Sequence, residues 1–241
     1  MIEAGSLEYA HARLSARFGN RPDEDAWRRI ETLRDLAALL EATRASPLAP
    51  WVARIGADAD VHAVERAMRA HLTERVAAIA TWMPPAWRSS IAWCGLLVDL
   101  PLLQHLVRGG AAPGWRIDED PVRRKAIEAF LATGSIDPDR LGAIWRDGWQ
   151  QRLPKEHRRL ALFAEFLRLI DEHVEAWRDP RLVEGWAARR RLHARLTRLF
   201  RRATLDPTVA FVFLALSALE FERLRGEILR RVAFPRLPLA A

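Results

Sequence analysis

Three carboxylates, Glu220, Glu222 and Glu227, stand among leucines and arginines in "LSALEFERLRGEILRR", residues 216–231. Two carboxylates whose surroundings push their pKa values apart could perform acid–base chemistry. On a helix over about 207–232, however, Leu214, Phe221, Leu224 and Ile228 form an apolar stripe. Glu220–Arg223, Glu222–Arg225 and Glu227–Arg231 are then spaced to pair along the surface. The spacing predicts solvated charges or partner contacts rather than a reactive pair, and Glu220 and Glu222 are candidate partner-binding residues. Each exposed pair contributes roughly 0.3–0.5 kcal/mol, against roughly 1.5–3 kcal/mol for burying one leucine or phenylalanine of the stripe.

Two further sets of side chains could do chemistry. A helical di-metal carboxylate site needs Glu-x-x-His on two helices, whereas Glu8-x-x-His11 occurs once; an exposed pair one turn apart is the simpler reading. Asp171, Glu172 and Glu175 in "RLIDEHVEAWRD" could bind magnesium or exchange protons, because Asp171 and Glu175 lie one turn apart. Arg168 and Arg178 flank them at three-residue spacing, so a salt-bridged, solvated face accounts for the same residues. The sequence contains no His-Glu-x-x-His, no paired Cys-x-x-Cys, no Gly-x-Ser-x-Gly and no phosphate loop ending in Gly-Lys-Ser/Thr. Gly109-Gly110 has no preceding strand and reads as a hinge. No catalytic residue, cofactor or metal is expected.

Residues 186–202, "WAARRRLHARLTRLFRR", hold seven arginines and no acid. On a helix Arg191, Arg195, Arg198 and Arg202 make one stripe beside an apolar stripe of Leu192, Leu196 and Leu199. Such a basic amphipathic helix fits an acidic surface or a plain solvated face. Phosphate binding would weaken steeply with salt, and a folded protein interface would weaken less.

The elements that must position these groups are helical throughout. Apolar residues recur at helical spacing, and no alternating run bounded by turn residues reads as a strand, so the fold is expected to be all-α. Ser6 caps a helix to about Phe18, ended by "GNRP"; Asp23 caps a long helix with Trp27, Ile30, Leu33, Ala37 and Leu40 on one face, ended by Pro47 and Pro50. A helix over 59–81 presents Val61, Val64, Met68, Leu72, Val76 and Ile79, and Pro84-Pro85 stops it and starts the next. "RGGAAPGWRIDEDP" (108–121) reads as a linker between an N-terminal lobe, 1–108, and a C-terminal lobe, 121–241, with 109–120 between them. Helices follow near 120–133, 137–151, 154–177, 180–203 and 206–232, several opened by Asp-Pro, which supplies a cap and a pre-set first turn.

At 241 residues the chain can bury a substantial core, and half of its residues are hydrophobic. The ten tryptophans sit mostly on apolar faces and read as core side chains. Only two of the 38 basic residues are lysine and Asn20 is the sole asparagine, a skew expected of GC-rich codons. Arginine abundance alone therefore signals little, but its placement does: residues 151–241 carry 19 Lys+Arg against 11 Asp+Glu. That basic part suits an acidic partner, nucleic acid or an anionic membrane surface. The single cysteine, Cys94, excludes an intramolecular disulfide, and no basic-then-apolar leader is evident, so a cytoplasmic location is expected. Of the two most apolar windows, 89–107 contains Asp99 and Pro101, and 209–219 is about half the ~20 residues that a span needs. Neither is expected to cross a bilayer.

Several segments resemble one family. "YAHARLSAR" (9–17) resembles the opening Tyr-x-x-Ala-Arg helix of the central-stalk subunit of V-type ATPases and ATP synthases, called C in prokaryotic and d in eukaryotic enzymes. "LEATRASPL" (40–48) resembles its Leu-x-x-Thr-x-Tyr-x-x-x-Leu segment, with Ala45 at the tyrosine. "LVDLPLLQHLVR" (97–108) resembles its Asp-x-x-Asn-Leu/Ile-x-x-Leu-x-Arg helix, with Leu102 at the asparagine and Asp99, Leu103, Leu106 and Arg108 matching. "LEFERLRGEIL" resembles its C-terminal Glu-x-Glu-x-x-Asn-Leu-Arg helix through Glu220 and Leu224-Arg225, with Arg223 at the asparagine. The resemblance covers roughly 9–108 and 207–231 in a chain shorter than full-length members.

It implies a multi-helix, funnel-like bundle of short antiparallel helices that is not an enzyme. Such a connector lies at the cytoplasmic side, peripheral to the inner membrane, links the stalk to the membrane rotor ring and transmits torque for ion transport, proton transport included. Stalk subunits and the ring would be its partners, and the C-terminal arginines would face polar loops or anionic headgroups. The rival expectation is a basic helical adaptor that binds nucleic acid or an acidic protein through 186–202.

Overall fold

Local capping decides where the helices begin. The computed structural model describes residues 5–110, 137–178 and 185–234. The Tyr9 N–H donates to Ser6 Oγ at 3.1 Å and opens α1, Leu7–Gly19. The Ala26 N–H donates to Asp23 and opens α2, Glu24–Thr32, and the Ala63 N–H donates to Asp60 and opens α5, Val61–Trp82. Each cap satisfies an amide that the first turn leaves without an intrahelical partner.

The single long helix expected from Asp23 onward is instead two. Leu33 is extended, Asp35 accepts from the Ala38 N–H, and α3 runs Leu36–Arg44. The break leaves carbonyls at the end of α2, and a distant arginine takes them. Buried Arg231 donates from Nε to the Leu33 carbonyl at 2.8 Å and from a terminal nitrogen to that of Glu31 at 3.1 Å. The change of direction buries Leu39 and Leu40 and leaves Ala37 exposed.

A short helix, α4 (Ala49–Val52), precedes α5. Beyond it Pro85 starts α6, Pro85–Trp93, a 3-10 turn spans Cys94–Val98, and α7 is Leu100–Val107. After the 3-10 turn Pro138–Arg140 come α8 (Leu141–Arg152), α9 (Ala161–Arg178), α10 (Gly185–Arg202) and α11 (Thr208–Ala233). The fold is all-α, and no strand occurs among the described residues. The helix expected at 120–133, most of the 108–121 linker and the start of the 180–203 helix lie outside the described residues.

The longest helices, α5 with 22 residues and α11 with 26, lie where long helices are expected over 59–81 and 206–232; they cross antiparallel and form a spine. One apolar cluster gathers Val76 and Ile79 of α5 and Val209–Leu214 of α11 with Leu14, Trp87, Trp149, Phe163 and Leu196. A second gathers Val64, Met68 and Leu72 of α5 and Phe221, Leu224 and Ile228 of α11 with Trp27, Leu40, Leu48 and Trp51. The lobes expected at 1–108 and 121–241 therefore do not keep separate cores: the division runs across the spine, and each cluster draws on both parts of the chain.

Tryptophan is mainly core, as expected. Trp27, Trp51, Trp82, Trp87 and Trp149 are buried, and Trp93 and Trp145 donate their indole N–H groups to one another's carbonyls at 2.9 and 3.2 Å. Trp177 and Trp186 are exposed. Among the described residues no single helix is long and apolar enough to cross a membrane. The bent pair Pro85–Val98 and Leu100–Val107 has the composition for a span, but it buries Ile91, Leu96 and Leu103 in the protein's own packing.

Candidate functional site

Charge on α11 is used internally. Its first half, Val209–Leu214 and Leu216, is buried on every side, so the charges that follow enter a region already enclosed by α1, α2, α3 and α5. Glu220 is buried and receives Arg21 Nε at 2.5 Å and the Arg75 guanidinium at 3.6 Å. Arg75 also donates to Ser217 Oγ at 3.2 Å, and its guanidinium lies over the Trp51 ring at 4.5 Å. His71 packs edge-on to the same indole at 4.7 Å, with Nε2 3.3 Å from Arg75. Because a guanidinium only donates, this imidazole nitrogen accepts and the ring is neutral. Burial first, and then the Arg75 charge, push His71 down to about 4.

The remaining α11 charges are paired too. Arg225 Nε donates to buried Glu65 at 2.6 Å, and Arg69 donates to the other Glu65 oxygen at 3.0 Å. Against the cost of burial, these two hydrogen bonds hold the Glu65 carboxyl below the usual carboxylate range. Arg223 reaches Glu31 at 2.6 Å and Glu24 at 2.9 Å while covering Trp27. Glu222 faces Arg189 at 3.8 Å, and Glu227 accepts from Arg231 at 2.6 Å.

The surface pattern expected for this helix therefore holds only at Glu227–Arg231. Glu220 does not pair with Arg223 nor Glu222 with Arg225, and Glu220 is not available to a partner, because two arginines far away in sequence enclose it. Its environment is that of a buried ion pair. The apolar stripe of Leu214, Phe221, Leu224 and Ile228 is buried throughout.

Around α9 and α10 the charges stay at the surface. Leu192, Leu196 and Leu199 are buried as expected, which turns the arginines outward. Arg195 donates to Glu172 at 2.6 Å and Arg202 to Glu165 at 3.0 Å, so half of the expected stripe is bridged to α9. Hydrogen bonds from Arg195 and Arg168 hold the Glu172 carboxyl below its usual range. Asp171 meets Arg146 of α8 at 2.6 Å rather than Arg168, and the acidic run is a bridged helix face. Arg191 and Arg198 are exposed and form no ion pair with another described residue, and the same is true of Arg190 and Arg201, which the stripe reading omitted.

Where α9 ends and α10 begins, Trp177 and Trp186 are exposed on either side of Arg189, and exposed Val174 precedes Trp177 by about one turn of α9. The Arg189 guanidinium is over both indoles, at 4.5 and 4.9 Å, and Trp177 donates to His173 Nε2 at 2.9 Å. Two tryptophans nine residues apart beside an arginine run were the sequence signal for this tip.

The other candidate groups do not converge. Glu8 is exposed, and His11 meets Ser15 Oγ through Nε2 at 3.4 Å. Among the described residues no three His, Cys, Asp or Glu side chains gather into a set that could hold a metal ion. Burial pushes the Cys94 thiol up to about 12, where it is not a nucleophile at neutral pH. The geometry offers two distinct charge systems, one sealed inside the spine and one displayed on α10. Comparison of the chain with protein-family models, curated proteins and solved structures finds no match.

Proposed function

We propose that the chain is a non-catalytic connector in the central stalk of a V-type rotary ATPase or ATP synthase, linking the stalk to the membrane rotor ring and transmitting torque for ion transport. The observation that carries this reading is the position of the resembling residues. Leu40, Thr43, Asp99, Leu103, Glu220 and Leu224, spread over much of the chain, are buried, and Tyr9 packs partly buried on the core that α11 enters, whereas Ala12, Arg13 and Arg108 of the same motifs are exposed. Degenerate motifs persist where packing dictates residue type: Leu40 and Leu224 belong to a cluster of the α5–α11 spine, and Leu103 to a smaller one with Leu96 and Leu141.

A torque-bearing part must resist bending. Here two long crossed helices are held at each end by an apolar cluster and at the crossing by Glu220 with Arg21 and Arg75. Under this reading the chain sits at the cytoplasmic side, peripheral to the inner membrane, with stalk subunits and the rotor ring as partners and no reaction of its own. The basic-adaptor alternative draws less support, because Arg195 and Arg202 of its binding stripe are already bridged to α9.

Affinity purification of the tagged chain from gently solubilised membranes, followed by mass spectrometry, tests the assignment. Co-recovery of rotary ATPase stalk and ring subunits is expected. Recovery of the chain with nucleic acid or an unrelated acidic protein, and without those subunits, overturns it.

A further inference from the structure

We propose that the exposed face of α10, together with the tip it shares with α9, docks on an anionic lipid surface. At 3.6 residues per turn, Arg190, Arg201, Arg198 and Arg191 fall within an arc of about 100° that extends roughly 16 Å along the axis. All four are exposed, and none forms an ion pair with another described residue. The helix itself carries no acid, so no carboxylate on α10 offsets the four charges. On its opposite side Leu192, Leu196 and Leu199 are anchored in the core, so the basic face is held rigid without a partner.

The aromatic tip decides among anionic partners. Val174, Trp177 and Trp186, at 40, 41 and 44 % exposure, form an apolar point at one end of this face. Indole rings with an apolar body and a polar N–H settle at the headgroup level of a bilayer, and neighbouring arginines extend to phosphates. Nucleobase stacking would have only one face of each indole, since Arg189 covers the other. A folded acidic protein would need a matching recess for a convex helix, whereas a lipid surface conforms to it. A row of guanidinium groups beside an interfacial aromatic pair is the pattern that anionic headgroups satisfy.

The stalk reading also lets the C-terminal arginines face anionic headgroups, but this proposal rests on the α10 face itself, and its test uses no stalk or ring subunit. Sedimentation of the full-length chain is compared with vesicles of phosphatidylcholine alone and of phosphatidylcholine mixed with phosphatidylglycerol. Binding to the mixed vesicles, little binding to the neutral ones and weakening with salt are expected. Replacing Arg190, Arg191, Arg198 and Arg201 together by glutamine should lower vesicle affinity on the order of a hundredfold, since each cation near the surface contributes severalfold. A control carrying Arg28→Gln, Arg29→Gln, Arg34→Gln and Arg66→Gln, all exposed elsewhere, should keep its affinity within a few fold of the parent's.

Trp186→Ala should cost a smaller, severalfold part that salt does not remove. Circular dichroism verifies that each variant is folded before binding is read. Equal losses in the two arginine variants would overturn the proposal. So would vesicle binding unchanged by the α10 substitutions, or binding to a single-stranded oligonucleotide with none to vesicles at the same salt.

Discussion

Helices α10 and α11 look alike as sequence, each interleaving arginine with leucine and phenylalanine, yet the protein uses their charges in opposite ways. On α11 the charges at 220, 223, 225 and 231 meet groups brought from the link after α1, from α2 and its end, or from α5. On α10 two arginines bridge to α9, and four face outward with no ion pair to another described residue. The difference follows from the neighbours: α11 packs against α1, α3, α5, α9 and α10 and is buried through most of its first half, whereas α10 rests mainly on α9 and α11. A charge pattern along one helix therefore does not tell whether the charge is interior structure or exterior contact. The degree of enclosure does.

The strongest way to break this contrast is to remove the enclosed acid. Glu220→Ala leaves Arg21 and Arg75, whose side chains are both 13 % exposed, without their shared counter-ion. The cost in urea unfolding should be about 3–5 kcal/mol, the range for removing one partner of a buried pair. Adding Arg75→Met should restore part of that loss, because the penalty comes from the stranded charge rather than from a lost attraction. A loss below about 1 kcal/mol for Glu220→Ala would place this pair with ordinary surface bridges.

The reach of the sequence differed between the two helices for the same reason. Helix starts were legible, because Ser6, Asp23, Asp60, Asp137 and Asp206 each accept from an amide only two or three residues on. The buried faces of α5, α10 and α11 were legible from helical spacing, with only Val61 left exposed among the residues expected to face inward on these three. The break at Leu33 was not, since the apolar pattern runs through it and Arg231, which takes its carbonyls, is 198 residues away. The partners of Glu220 were hidden likewise, and Arg223 offered a closer but unused mate. A usable signal was present: residues 209–219 are apolar on every helical face, which marks a helix buried all round. A carboxylate just beyond such a run requires a cation from elsewhere in the fold.

Acid should sharpen the contrast at His71, whose surroundings belong to the enclosed system. With a folded value of about 4 against an ordinary 6.5, the unfolded chain binds more protons between these values. The contribution of neutral His71 is complete above about pH 6.5 and declines as the pH falls toward about 4. Arg75, Arg54 and Arg17 oppose protonation, while Glu74 favours it. Unfolding followed by denaturant from pH 7 to 4.5 should show stability falling, and His71→Gln, which keeps an acceptor for Arg75, should flatten that fall. An unchanged slope would mean that the imidazole is as accessible to protons folded as unfolded. Glu65 belongs to a lower window, because its depressed carboxyl loses its contribution only below the ordinary carboxylate range.

The smallest effect is expected from the displayed system itself. Arg202 and Glu165 meet at 3.0 Å, a better distance than Arg75 and Glu220 at 3.6 Å, but their side chains are 59 and 28 % exposed. Water solvates both groups when the bridge opens, so Arg202→Ala should change unfolding free energy by at most about 1 kcal/mol, and by less in high salt. Glu220→Ala removes contacts of 2.5 and 3.6 Å, which bracket the 3.0 Å of Arg202 and Glu165, so bond length alone predicts no severalfold difference; if enclosure governs stability, Glu220→Ala should cost severalfold more. Equal losses would dissolve the distinction between the helices, whereas a small, salt-sensitive loss at Arg202 leaves the outer charges free to be spent on a partner.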